Sequence, residues 1–173
     1  MMIEKATLND ADELGRLYDS VNDHLMATVN YPGWRKGLYP VREDAVDAIR
    51  EGTLFVLREG GQIAGTVILS HRQEAAYAQA AWGAELEDKQ VLVVHTLAVH
   101  PQFLARGVGR QLMEFAIAHA RTQGMRAVRL DVNEKNVPAI RLYESLDFAL
   151  IDTVDMGYSL EAAERYRLYQ LLL

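Results

Sequence analysis

Apolar positions along the chain follow two rhythms, one of a helix and one of a strand. Leu14, Leu17, Tyr18, Val21 and Leu25 recur three or four apart and mark a helical stripe, with Asn9 or Asp10 placed to cap it. Ala45, Ala48 and Ile49 point inward from a shorter helix between Val41 and Glu51, which Gly52 ends. Val108, Leu112, Phe115, Ala116 and Ala120 make a third stripe, with Arg110, Glu114, Arg121 and Gln123 off it and Gly124 as its stop. A fourth helix spans Val137 to Ser145, entered through Asn136, with Pro138 in the first turn where a missing N–H costs nothing.

Strand-like runs fill the intervals. MIEKAT is a short first strand, and TLFVLRE and QIAGTVILS are joined at Gly60-Gly61, a hairpin signal. Val91, Val93, Val94, Leu97 and Val99 form the next run, which Pro101 stops because proline cannot donate to a ladder. AVRLDV, then Phe148 to Tyr158 and Tyr166 to Leu172, complete the set. Residues 71 to 90, alanine-rich with Tyr77 and Trp82 before the acidic AELEDKQ, read as an ordered excursion ending in an exposed turn. The order predicts one α/β (α+β) domain over residues 1–173, with a mixed sheet, a right-handed parallel crossover at its centre and antiparallel pairs at its edges.

Composition narrows the function classes. At 173 residues, 50% hydrophobic and 24% charged, the chain has the balance of an ordinary globular domain, and no run approaches the roughly 18 apolar residues of a membrane span. The start, MMIEKATLND, lacks the pattern of a secretory signal, so cytoplasmic residence is expected. A net charge of −6 argues against a nucleic-acid binder and favours cationic substrates through long-range steering. Zero cysteines exclude disulfides, thiolate metal sites and any cysteinyl intermediate. His95 and His100 lie five apart on one strand, hence on opposite faces by simple alternation, and no metal site is expected.

The chain is organised around the turn Leu104-Ala105-Arg106-Gly107-Val108-Gly109, where a strand passes into a helix. Its glycines let backbone approach a ligand, and the first free N–H groups of the helix suit an anion. There is no Gly-Lys-Ser/Thr, so it is not a P-loop, and no third spaced glycine, so the dinucleotide fingerprint fails. The stretch HTLAVHPQFLARGVG instead resembles the cofactor motif of the GNAT N-acetyltransferase superfamily, and NVPAIRLYESLDF, residues 136 to 148, resembles that family's second signature. Two positions depart from the pattern: Leu104 stands for the usual Gln or Arg, and Asp147 for the glycine before Phe148.

The resemblance implies a GNAT-like, mostly antiparallel sheet of about seven strands with a central splayed parallel pair and about four flanking helices. It implies acetyl-coenzyme A lying between the strands at 94–99 and 127–132, on Leu97, Ala98, Val99, Leu104, Ala105, Arg106, Gly107, Val108, Gly109, Arg110, Asn136, Ala139 and Tyr143. The pyrophosphate would meet the amides of residues 105–109, Asn136 the pantetheine, and the Val99 N–H the thioester carbonyl. Tyr143 matches the family tyrosine that protonates the departing thiolate, or else packs its ring on the sheet. His95 takes the amine proton directly or through water, or is a core histidine bonded to a neighbouring carbonyl.

An aliphatic amine has a pKa of about 10, so transfer to it needs a base or a desolvating pocket. With no cysteine and no Gly-x-Ser-x-Gly elbow, direct attack in a ternary complex is the expected route. His24, Tyr31, Trp34, Tyr39 and Trp82 are the acceptor-binding candidates, since aromatic walls suit a cationic amine; the alternative is a satellite cluster that stabilises a long loop. The expected partner is a small-molecule or peptide amine. A sensor that binds acyl-coenzyme A without turnover is the rival reading. YRLYQLLL, taken as an apolar edge strand, suggests a homodimer.

Overall fold

The computed structural model describes residues 2–158 and 164–173. Strands β1 (Met2–Lys5), β2 (Leu54–Glu59), β3 (Gln62–Ser70), β4 (Val91–Val99), β5 (Ala127–Asn133), β6 (Ala149–Asp155) and β7 (Arg165–Leu172) form one sheet in the order β1-β2-β3-β4-β5-β7-β6. Helices α1 (Ala11–Ala27), α2 (Arg42–Glu51), α3 (Val108–Thr122) and α4 (Val137–Glu144) fall where the apolar stripes place them. β4 and β5 pair in parallel, while β1–β2, β2–β3, β5–β7 and β6–β7 are antiparallel. The parallel register runs from Val91 opposite Ala127 to Val93 opposite Arg129.

The chain clusters into two compact units, one of Met1–Leu69 with His95–Ala116 and the other of Ser70–Val94 with Ile117–Leu173. In the first, the α1 stripe of Leu14, Leu17, Tyr18 and Val21 is buried with Ala45 and Ala48 of α2, Leu54 and Val56 of β2, Ile63 of β3 and Ala98 of β4. Leu14 and Leu17 are essentially inaccessible, so truncating either to alanine costs about 2–5 kcal/mol. Asp10, one of the two expected caps, stands at the N-cap of α1, and a 3₁₀ turn at Leu8–Asp10 precedes it, with the Thr7 N–H donating to Asp10 Oδ2 at 2.7 Å. Gly65 of β3 fixes how closely α3 approaches. A Cβ there would sit 2.7 Å from Val108 Cγ1 and 3.0 Å from the Ala98 carbonyl.

In the second unit the excursion at 71–90 folds over the sheet. Ala76 and Tyr77 are buried with Val91, Val93, Ala127, Val154 and Leu168, and Trp82 and Leu86 pack on that cluster. β7 lies between β5 and β6, paired on both sides, so it is not the edge strand that the homodimer expectation assumed. Its apolar run is explained by burial of Leu168 and Tyr169 within the sheet. Among the described residues no helix is long and apolar enough to cross a membrane.

Candidate active site

The turn before α3 is shaped by two left-handed residues. Ala105 has φ 59 and Gly107 φ 78, and Arg106 stands between them. Such alternation turns successive N–H groups toward one point, which makes an anion-binding concavity. The Gln111 N–H donates to the Gly107 carbonyl at 3.0 Å, so the helix supplies no acceptor of its own to Val108 and Gly109 one turn earlier. Arg106 lies over the Phe103 ring, 5.1 Å from its centroid, and pairs with Glu59. Leu104 is exposed, and Arg110 pairs with Glu114 at 3.1 Å.

β4 is kinked inside its apolar run. Thr96 has φ 45, a conformation a β-branched residue adopts only when its surroundings hold it. The holding group comes from the loop between α1 and α2, since the Tyr39 hydroxyl is hydrogen-bonded to the Thr96 hydroxyl. Trp34 meets Tyr39 edge to face at 5.9 Å and packs against the first unit's core. Beneath them α1 buries Tyr18 and Asn22; neither the carboxamide oxygen nor the nitrogen of Asn22 has a hydrogen-bond partner among the described residues. His95, Leu97 and Val99 are half-buried along the kinked half of the strand.

The second unit contributes a half-buried acid. Asp131 on β5 accepts a 2.8 Å hydrogen bond from the Tyr77 hydroxyl. Burial raises its pKa to about 6, the Tyr77 hydrogen bond opposing that rise and the Glu74 charge adding to it. Tyr143 of α4 is buried, between Phe148 at 6.1 Å and Tyr169 at 6.4 Å. Its own pKa is raised by burial and, secondarily, by the Asp131 charge, so its hydroxyl keeps its proton through neutral pH. At the entrance to α4, Asn136 Oδ1 accepts from the Ala139 N–H at 3.4 Å. Two residues along β5 from Asp131, the Arg129 guanidinium lies over Trp82 at 4.1 Å from the ring centroid.

The sequence profile of the Acetyltransferase (GNAT) family matches residues 18–148. The chain belongs to the GNAT acetyltransferase family. A mycothiol acetyltransferase of Thermobispora bispora is 41% identical over 75 residues, covering 43% of this GNAT chain and 25% of that protein. The [ribosomal protein bS18]-alanine N-acetyltransferase of Salmonella typhimurium is 46% identical over 52 residues, 30% of this chain and 35% of that protein. This chain therefore spans at most about a third of the length of these curated relatives. Among solved structures, the Salmonella typhimurium yncA protein, described with its cofactor acetyl-CoA, superposes with TM-score 0.73 at 19% identity, covering 100% of this chain and 94% of that one. A ribosomal-protein-alanine N-acetyltransferase from Brucella melitensis gives TM-score 0.73 at 19% identity, with both chains covered fully at 100%. These two likenesses show the GNAT fold.

Within this GNAT fold the residues expected to act fall into separate groups. Trp34 and Tyr39 join Thr96 in the first unit, and Tyr31 is exposed beside them in sequence. His24 is half-buried near the end of α1, where its carbonyl accepts from the Thr28 hydroxyl at 2.7 Å. Trp82 packs its ring on Tyr77, with centroids 5.2 Å apart. It belongs to the second unit, with its Nε1 donating to the Tyr77 carbonyl at 2.8 Å. Asp131 and Asn22 are not among the residues the sequence singles out. The sequence does show two charges, Arg129 and Asp131, inside AVRLDV, a strand otherwise apolar enough to be covered on both faces.

Proposed function

We propose that this chain transfers an acetyl group from acetyl-CoA to an amine nitrogen by direct attack, with no covalent enzyme intermediate. The observation that carries the reading is the left-handed pair Ala105 and Gly107 at the N-terminus of α3, which fits a pyrophosphate held by backbone N–H groups. A side chain at position 104 is unnecessary for such a grip, which accounts for Leu104. The Val99 N–H polarises the thioester carbonyl, and Asn136, its Oδ1 engaged by Ala139, offers its Nδ2 to the pantetheine.

Asp131 takes the amine proton in this reading. A carboxylate with a pKa near 6 is ionised at neutral pH and more basic than an exposed one. The amine attacks the thioester carbon and forms the C–N bond while Asp131 removes its proton. Collapse of the tetrahedral adduct breaks the C–S bond, and the thiolate takes the proton of Tyr143, which solvent restores as Asp131 releases its own. His95, half-buried on β4, is the second candidate base, and the pH profiles of Asp131→Asn and His95→Gln separate the two.

Acetyl-CoA titrated calorimetrically tests the cradle, with micromolar binding expected; no binding overturns the reading. Thiol release over a panel of amines then tests turnover. Binding without release from any amine would make the chain a sensor.

A further inference from the structure

Arg129 is a buried charge held by neutral partners. It is only 3% exposed, yet its Nε donates to Gln170 Oε1 at 2.9 Å and its Nη1 to Gln73 Oε1 at 2.7 Å. Among the described residues no carboxylate forms an ion pair with it. Each glutamine is itself oriented. The Gln73 Nε2 donates to Asp88 Oδ1 at 2.6 Å, and the Gln170 Nε2 to the Trp82 carbonyl at 3.0 Å. The two amide oxygens are thereby turned onto the guanidinium, and Trp82 covers its face. Asp88 attracts this charge only from behind Gln73, and desolvation lowers the Arg129 pKa despite it, so an anion bound directly to the guanidinium would offset the cost of its burial.

That guanidinium lines a cavity of about 510 Å³ with Trp82, Glu85, Leu86 and Glu87, all in the second unit. The volume suits a small molecule and is too small for a folded partner. Glu87 is already paired with Lys89 at 2.8 Å, whereas Glu85 has no recorded partner among the described residues. The lining therefore offers one cation on the floor, an apolar wall, and carboxylates on the exposed loop. Arg129 and Asp131 are two residues apart on β5, hence on one face of the strand.

We propose that this cavity receives the carboxylate of the acceptor, so that the substrate class is a small amine that also bears a carboxylate. The carboxylate meets Arg129 while the amine reaches Asp131. An additional ammonium group, as on a diamino acid, is accommodated by Glu85. This rests on the acetyltransferase reading and on Asp131 as the base.

The test compares matched amines on the wild-type protein: 6-aminohexanoate against hexylamine, and lysine against its decarboxylated analogue cadaverine. The carboxylate-bearing member of each pair is expected to have the higher kcat/KM by about 10- to 100-fold, the worth of one charge-assisted contact. Equal values within each pair overturn the proposal. In Arg129→Gln, checked for folding by acetyl-CoA binding, the ratio falls toward one; an unchanged ratio in a folded variant overturns it as well. The wild-type ratios decide the matter should that variant not fold. If no amine is acetylated, the activity reading has failed, and calorimetry on the wild-type protein judges the cavity alone. Saturable binding of 6-aminohexanoate without binding of hexylamine supports it, and no difference between them rejects it.

Discussion

Tyr77 holds Asp131 by a single 2.8 Å hydrogen bond, joining the excursion between β3 and β4 to the middle of β5. The bond opposes burial: it stabilises the carboxylate, while removal from water favours the neutral acid. Both residues sit in the second unit, and the tension between them sets where Asp131 titrates.

Asp131→Asn should exchange activity for stability. The folded-state pKa of Asp131 lies above the ordinary 3.8, so the carboxyl favours folding below that value and loses the advantage as pH rises through about 6. A shift of this size corresponds to roughly 3 kcal/mol as an upper figure, all of it destabilising at pH 7. Asparagine keeps an acceptor for Tyr77 and carries no charge. Denaturant unfolding at pH 7 should show the variant more stable by about 1–3 kcal/mol. Its kcat should fall about 10²-fold or more, and the wild-type decline in kcat/KM below pH 6 should vanish from its profile.

Tyr77→Phe removes the group that lowers the Asp131 pKa, so the acidic limb should move to higher pH. The ring stays in its buried place against Trp82, 5.2 Å away, which keeps the packing. A limb unmoved, or moved to lower pH, would show that Asp131 is not the titrating base.

Tyr143→Phe retains the ring contacts with Phe148 and Tyr169 and deletes one buried hydroxyl. Turnover should drop about 10²-fold while calorimetric affinity for acetyl-CoA stays within a few-fold. Full turnover with bound coenzyme would remove the acid role.

Gly65→Ala should act on the coenzyme from the opposite side of the α3 packing. The added methyl meets Val108 Cγ1 and the Ala98 carbonyl too closely, so the start of α3 must shift. About 1–3 kcal/mol of stability should be lost. The KM for acetyl-CoA should rise several-fold, more than kcat falls, in steady-state assays.

The periodicities carried the architecture because most elements here are amphipathic in the simple way: the α1 stripe is the buried face, and Gly60-Gly61 is the hairpin turn, with φ 60 and 83. Position in the sheet was less legible. YRLYQLLL is apolar because β7 is interior, and a sequence alone does not distinguish a covered strand from a sticky edge. His100 lies just beyond the end of β4 at Val99, and the left-handed backbone of Thr96 stands between it and His95, so simple alternation does not relate the two. Asp147 was legible as a departure, and the structure supplies its reason: φ 65, where glycine is usual and aspartate is among the tolerated side chains. The role proposed for Asp131 is not legible in the sequence because it depends on Tyr77 and the excursion at 71–90, which has no periodic signature to forecast its path.

With β7 interior, the free margin of this side of the sheet is β6, and it is a poor template for another strand. Asp152 and Asp155 stand exposed along it, and the Arg165 guanidinium is bonded to its Thr153 carbonyl. A second chain arriving in register would bring the same carboxylates opposite these and would have to displace that arginine. Growth of the sheet from molecule to molecule is thus guarded against along this margin, a form of colloidal protection written into an edge strand.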